Sequence, residues 1–526
     1  MQLSRRLLSL LPSSAIARTQ CCVCASRSNT LRSRYGAKIN VSFSTENQIR
    51  RYSKQFLKQK YEENKTLLSN KKLPEDVDKH AVFASNELNM SEIKVYGFDY
   101  DYTIANYLPE VEHLIYELGK NVLVNKCRYP DGIKNLKYNR EFAIRGLHYD
   151  VEKGLLMKLD QFQQIQRGSI YRGLTLLSRD EIRELYGTRT IPLQYLEGSL
   201  AGGTKMAHLA DLFSIPEMCL LRQIVQFFLD NDLHFHSVSI FNDVKAAIGS
   251  IHPEMHRIVT KDASNYLMKD PNLIKFFDRL KENGKELFLI TNSPFRFVNA
   301  GMTHILNENW REYFDVIITN AKKPNFFTEK RPFRILNEEI DTFTWDPVEK
   351  LEKGKIYAEG SLYHLKRFVD TAGQNVLYFG DHPYADLADL ALNHSWRTGA
   401  IVWELDYELE KQNSLEYKKM SGWFILLQSL IEEYQDISDD DEEAAQIIQQ
   451  WKEERNILWK TLKDMYNPHF GSVFRTFDNP TYFSRRLFRY ADIYTSQISN
   501  LCNYKINHTF YPRRGVLPHE YKSLFV

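Results

Sequence analysis

Apolar residues in this chain gather into short uninterrupted runs instead of alternating with polar ones. Val95-Tyr96-Gly97-Phe98 closes a stretch, 94–98, that reads as the first core strand. Lys285-Glu286-Leu287-Phe288-Leu289-Ile290 and Asn375-Val376-Leu377-Tyr378-Phe379 have the same form, and Val316-Ile317-Ile318-Thr319 is a further strand. Continuous runs of this kind describe strands buried on both faces, as in a parallel sheet covered by helices. Helical patterns over 270–283 and 361–372 precede two of these runs, giving the alternation of strand and helix that such a sheet needs.

Roughly 190 residues separate the first run from the next, far more than one parallel crossover requires. An inserted domain is therefore expected over 152–253, with helices at 178–186, 204–231 and 240–250. Ser178-Arg179-Asp180-Glu181 has the form of a capping box at the first of these. Residues 46–80 read as a helical lead-in, and 407–465 as mostly helical. The acid run at 439–443 suits a solvated helix N-terminus. The architecture expected is α/β: a Rossmann-like core in two parts (81–151 and 254–430), a cap at 152–253, and a helical C-terminal extension over 431–526. No apolar run reaches the roughly 18 residues of a membrane-spanning helix.

Composition changes this picture chiefly at the N-terminus. The 526 residues are 43% hydrophobic and 26% charged, a globular mix. The first 45 residues carry seven basic side chains (Arg5, Arg6, Arg18, Arg27, Arg32, Arg34, Lys38) and no acid. Arg-rich, Ser-rich and acid-poor is the pattern of a mitochondrial transit segment, so a mitochondrial location, in the matrix, is expected, with cytoplasm the alternative. Pro12 and the serines interrupt the apolar stretch a secretory signal needs. Without this segment Lys+Arg falls from 69 to 62 against 67 Asp+Glu, which gives no indication of nucleic-acid binding. Cys21, Cys22 and Cys24 lie in the same segment, and Cys127, Cys219 and Cys502 are isolated, so no zinc or disulfide framework is visible.

The chemistry sits where the runs end. Asp99 and Asp101 follow the first, Thr291 and Asn292 the second, Lys323 lies just past the Val316 run, and Asp381 and Asp386 follow the last. Ligands of parallel sheets bind at the carboxyl ends of strands, so these distant groups can converge. Paired carboxylates are unfavourable without a cation or a shared proton. A hydroxyl, an amide and an ammonium suit a phosphate, and Asp99 with Asp381 can hold Mg2+. Asp-x-Asp also occurs in solvated turns, and a strand-end Thr can simply cap a helix. A calcium loop fails, because Ile104 stands where its glycine belongs. Gly202-Gly203-Thr204-Lys205 lacks Walker spacing and reads as a turn, and no Gly-x-Ser-x-Gly elbow is present.

Phe98-Asp99-Tyr100-Asp101-Tyr102-Thr103, Ile290-Thr291-Asn292-Ser293, Ala321-Lys322-Lys323-Pro324 and Tyr378-Phe379-Gly380-Asp381-His382 with Asp386 resemble the four motifs of haloacid dehalogenase-like phosphohydrolases. More narrowly they are similar to the cytosolic purine 5′-nucleotidase group and its 5′-nucleotidase domain-containing proteins. The likeness extends to Arg145-Gly146-Leu147, Trp396-Arg397-Thr398, Asn479-Pro480-Thr481-Tyr482, Arg489-Tyr490-Ala491-Asp492 and Leu517-Pro518-His519-Glu520, and covers about residues 80–526. The resemblance implies Asp99 as nucleophile and Asp101 as general acid and then base. Thr291 and Asn292 would hold phosphate, and Lys323 would neutralise it and orient Asp99. Mg2+ would lie on Asp99, Asp381 and the Asp101 main-chain carbonyl, with Asp386 in support. The implied substrate is a small phosphomonoester, a nucleoside monophosphate, and the implied assembly a homo-oligomer. In the cap, Lys245 and Gly249 stand where the resemblance places a base-reading Arg and Asp, so purine specificity does not carry over. A nucleotidase-like binding or scaffold protein with little turnover is the competing reading, and phosphotransfer to a nucleoside a narrower one.

Overall fold

Val95–Phe98, buried throughout, is paired in parallel on both sides, by Val376–Gly380 and by Glu286–Ile290. The computed structural model describes residues 52–197, 205–369, 373–436, 441–476 and 478–515. The basic N-terminal segment with its cysteines, the turn at 202–204, and 517–520 lie outside the described residues.

From the central strand the chain builds outward twice. Glu286–Ile290, Val316–Thr319 and Ile356–Glu359 extend the parallel sheet on one side. Val376–Gly380, Arg397–Ile401 and Ile493–Thr495 extend it on the other. Antiparallel strands close both edges of this ten-stranded sheet. Helices cover both faces, Pro109–Asn125, Pro271–Glu282 and Phe295–Ile305 among them. The order of strands reverses between Val95–Phe98 and Val376–Gly380, and a crevice opens at the carboxyl end of such a switch point. The four expected core strands are all present. They were visible because burial on both faces makes a strand apolar without interruption.

Between the two parts of the core lies a second, five-stranded antiparallel sheet, in the order Thr175–Leu176, Ile165–Arg172, Leu155–Leu159, Leu147–Asp150, Met206–Leu209. It begins at Leu147, ahead of the expected boundary at 152, and the last cap helix, Ser237–Lys261, runs past 253. The continuous helix expected over 204–231 is corrected. Met206–Leu209 pairs with Leu147–Asp150, and the helix starts only at Ser214, with Pro216 in the first turn where its missing N–H costs nothing. The expected capping box is present at Arg179–Tyr186, where the Ser178 and Glu181 side chains each accept from the other's main-chain N–H.

The helical lead-in is Lys54–Asn70. It packs on Leu415–Tyr434 and Glu442–Asp464 through a separate apolar cluster of Leu57, Trp423, Leu427, Ile447 and Trp451. The C-terminal extension is not helical alone. After Tyr482–Tyr490 the chain returns to the core as Ile493–Thr495, and the loop before that helix takes three carbonyl contacts (Phe470, Ser472, Arg475) from the buried Lys158 ammonium of the cap at 2.5–2.7 Å. No helix of the described residues is long and apolar enough to cross a membrane.

Candidate active site

The central strands deliver their polar ends to the switch-point crevice. Asp99 follows Val95–Phe98, and its N–H donates to the Phe379 carbonyl at 2.9 Å, so it cannot leave the strand end. Thr291 is tied in the same way to Ile318, at 3.0 Å. Asp99, Thr291, Lys323, Asp381 and Asp386 are all buried. The Lys323 ammonium sits between two of the carboxylates, 2.7 Å from Asp99 Oδ1 and 2.6 Å from Asp386 Oδ1. Asp99, Asp381 and Asp386 each bring a carboxylate oxygen within 4.8 Å of the others.

Local backbone conformation places Lys323. Asn320 and Lys322 have φ of 50° and 64°, and the Lys323–Pro324 peptide is cis. Asn292 clamps the turn: its Oδ1 accepts from the Lys323 N–H at 2.6 Å, and its Nδ2 donates to the Lys323 carbonyl at 3.1 Å. Lys322 turns the other way and pairs with Glu359 at the surface, 2.8 Å. Asp386 is placed by the helical turn Pro383–Ala388, whose first N–H groups, those of Tyr384 and Ala385, donate to His382 Nδ1 at 3.1 and 3.0 Å. The His382 N–H donates to Asp386 Oδ2 at 3.1 Å, and Gly380 leaves room for that carboxylate, since a Cβ there would overlap it.

Asp101 stands apart from the carboxylate trio. Its Oδ1 accepts from the Tyr107 hydroxyl at 2.5 Å and its Oδ2 from Ser293 at 2.7 Å. The Thr291 hydroxyl accepts from the Ser293 N–H at 3.1 Å, which leaves its proton free to donate elsewhere.

Electrostatics follow from burial. Desolvation pushes the Asp99 carboxyl up to about 8 against the pull of Lys323, with Asp386 and Asp101 adding to the rise. Burial raises Asp381 well above the carboxylate range, with Asp211 of the cap the leading charge behind it. Burial also raises Asp101, opposed by the Tyr107 and Ser293 donors. Lys323 is buried too, yet Asp386 and Asp99 hold it above the usual lysine range. Burial thus favours the protonated forms of Asp99 and Asp381, and a divalent cation beside Asp99, Asp381 and Asp386 would favour their charged forms instead. Asp381 Oδ2 has no hydrogen bond among the described residues, and the donors are all hard oxygens. This set fits Mg2+, which takes one or two carboxylates and keeps waters.

Residues 82–522 match the model of the 5′ nucleotidase family. The 5′-nucleotidase domain-containing protein 2 of Rattus norvegicus is 45% identical over 84% of this chain and 80% of its own length. That of Homo sapiens is 45% identical over 84% of this chain and 85% of its own. The chain belongs to the 5′ nucleotidase family. It is thereby a hydrolase of phosphoric monoesters. Among solved structures, a predicted phosphoglycolate phosphatase from Haemophilus somnus matches over 59% of this chain and 86% of its own at 13% identity and a TM-score of 0.26.

In this 5′ nucleotidase family member the cap meets the crevice through aromatic rings. Tyr102, with φ 48°, lies 4.9 Å from Tyr107 and 4.8 Å from Phe213, whose ring is 6.3 Å from His252. His252 is on the helix Ser237–Lys261, as are Lys245 and Gly249, at spacings that put all three on one face. Lys245 and Gly249 are exposed, and a Cβ on Gly249 would meet nothing within 4 Å. Sequence reasoning passed over Tyr107, Ser293 and Tyr378, whose hydroxyl lies 3.4 Å from Lys323 Nζ. It gave Arg145 no role. Only Ser293 carried a usable signal, its place two residues after Thr291.

Proposed function

We propose that this chain is a Mg2+-dependent 5′-nucleotidase that cleaves nucleoside monophosphates through an aspartyl-phosphate. The observation that carries the reading is the Lys323 ammonium held between Asp99 and Asp386 beside Asp381. Asp99 Oδ attacks phosphorus as the bond to the ester oxygen breaks, and Asp101 gives that oxygen its proton. Burial of Asp101 favours the protonated form this step needs. Water then attacks the aspartyl-phosphate while Asp101 takes its proton, which frees inorganic phosphate and restores Asp99. Thr291 and Lys323 hold the phosphoryl oxygens. Asn292, expected to do the same, supports this chiefly by fixing the Lys323 main chain. Asp99, Asp381 and the Asp101 main-chain carbonyl would hold Mg2+, which would supply charge neutralisation at the phosphoryl group, and Asp386 holds Lys323 in place.

The test is phosphate release by the full chain from a panel of nucleoside monophosphates and simple monoesters, with Mg2+ and with EDTA. Asp99→Asn is expected to lower the rate at least about 10³-fold. A variant that keeps parental turnover refutes the nucleophile. Exposed Gly249 and Lys245 support a second reading, a nucleotide-binding protein with little turnover; a panel without turnover alongside Mg2+-dependent nucleotide binding would establish it. A mitochondrial address is part of the proposal, and a reporter fused to residues 1–45 that stays cytosolic would remove it.

A further inference from the structure

Arg145 is the core residue that leads, through Gly146, into the first cap strand, and its side chain is fully buried. A guanidinium in such a place is costly unless its donors are used. Nε and Nη2 form a fork with Glu404, in the first turn of the helix Glu404–Asn413, at 2.9 and 2.5 Å. Nη1 donates to the main-chain carbonyl of Asp381 at 3.1 Å. The ring of Phe483, from the helix Tyr482–Tyr490, stacks 5.0 Å from the guanidinium carbon. Gly146 follows at φ 88°, and a Cβ there would lie 2.6 Å from that of Phe483, so the turn into the cap is packed directly on this ring.

Glu404 takes the fork of Arg145, and the guanidinium brings Asp381 a main-chain hydrogen bond as well as a nearby positive charge. It grips the Asp381 main chain but reaches the carboxylate only at 3.7 Å. The oxygen at that distance, Oδ2, has no hydrogen bond among the described residues and stays available to a cation.

We propose that Arg145 is a positioning residue for the cation site. It fixes the Asp381 main chain so that the carboxylate meets those of Asp99 and Asp386, and it transmits to that site the placement of the helices bearing Glu404 and Phe483. The inference rests on the Mg2+-dependent reading above, and its test is independent of turnover.

Mg2+ binding to the full chain is measured by calorimetry, and by the Mg2+-dependent rise in thermal midpoint, without substrate. Arg145→Lys keeps the charge and loses the planar fork. Glu404→Gln keeps the size and loses the anion. Each is expected to weaken Mg2+ affinity about 10- to 100-fold while unfolding in EDTA stays cooperative. In parallel assays kcat should recover as Mg2+ is raised, with the KM for a monoester unchanged. Should neither fold, Phe483→Leu decides by the same measurement. Folded variants that bind Mg2+ within twofold of the parent overturn the role of Arg145. A parent chain that takes up no Mg2+ overturns the cation site itself, and this inference with it.

Discussion

The carboxylate crevice and the exposed face of the cap helix Ser237–Lys261 are built on opposite principles. In the crevice Asp99, Lys323, Asp381 and Asp386 are buried, and the charged groups are held by specific partners: Lys323 by Asp99 and Asp386, its main chain by Asn292, and half-buried Asp101 by Tyr107 and Ser293. On the cap face Lys245 reaches solvent, with its Nζ 5.7 Å from the Phe241 ring, and Gly249 has no side chain at all. Buried charges are tolerated only when paired, so the crevice can be changed at almost no position without cost. Exposed positions carry little free energy and can drift or be retuned. On the proposed reading, reaction chemistry belongs to the first region and choice of substrate to the second.

The sharpest way to break this contrast is one substitution made in both places. Lys323→Met leaves Asp99 and Asp386 facing each other without a cation. Stability in EDTA should fall by about 3–5 kcal/mol, the cost of breaking a buried pair. Phosphate release should fall about 10²–10³-fold. Lys245→Met should shift stability by less than about 0.5 kcal/mol. Thermal unfolding and a monoester assay on the two variants compare the regions directly, and equal losses would mean the cap face is not free.

A smaller effect is expected from Tyr107→Phe, which removes one donor from Asp101. Burial raises the Asp101 carboxyl, and hydrogen bonds from Tyr107 and Ser293 pull it back by favouring the charged form. Loss of the Tyr107 donor therefore raises it further, so the protonated acid persists to higher pH and the base form is reached later. The pH–rate profile should move to higher pH with a rate loss of about tenfold. A profile that moves down, or not at all, would separate Asp101 from proton transfer.

The same contrast explains what could be read from the chain. The Val95, Leu287, Val316 and Val376 runs announced themselves because both faces of each strand are buried. Their carboxyl-end residues were legible because strand ends in a parallel sheet share one side. Leu155–Leu159 is just as buried, with Leu156 in the main core and Leu155, Met157 and Leu159 in the cap's own cluster, but Lys158 interrupts the run and hid it. Ile493–Thr495 is too short to show a period, and only its pairing with Arg397–Ile401 and Phe83–Ala84 makes it a strand. Arg145 meets Glu404 across 259 positions of chain, a contact that no local pattern encodes.

Gly249→Asp tests whether the cap face is a specificity surface or merely a bare one. The site is exposed and a Cβ there meets nothing within 4 Å, so the substitution should leave the fold and the thermal midpoint unchanged. Lys245 lies four residues earlier, one helical turn away, so the new carboxylate and the ammonium would be neighbours on one face. A carboxylate beside a donor discriminates among hydrogen-bonding rings, whereas a lone ammonium does not, and a single such contact is worth about 1 kcal/mol. The ratio of kcat/KM between purine and pyrimidine monophosphates should therefore change about fivefold, with activity on a simple monoester unaffected. The two outcomes are distinguishable in one assay. A change confined to the ratio places the substrate's base against this helix face. A ratio that stays constant, on a protein of unchanged stability, places it elsewhere and detaches substrate choice from Lys245 and Gly249.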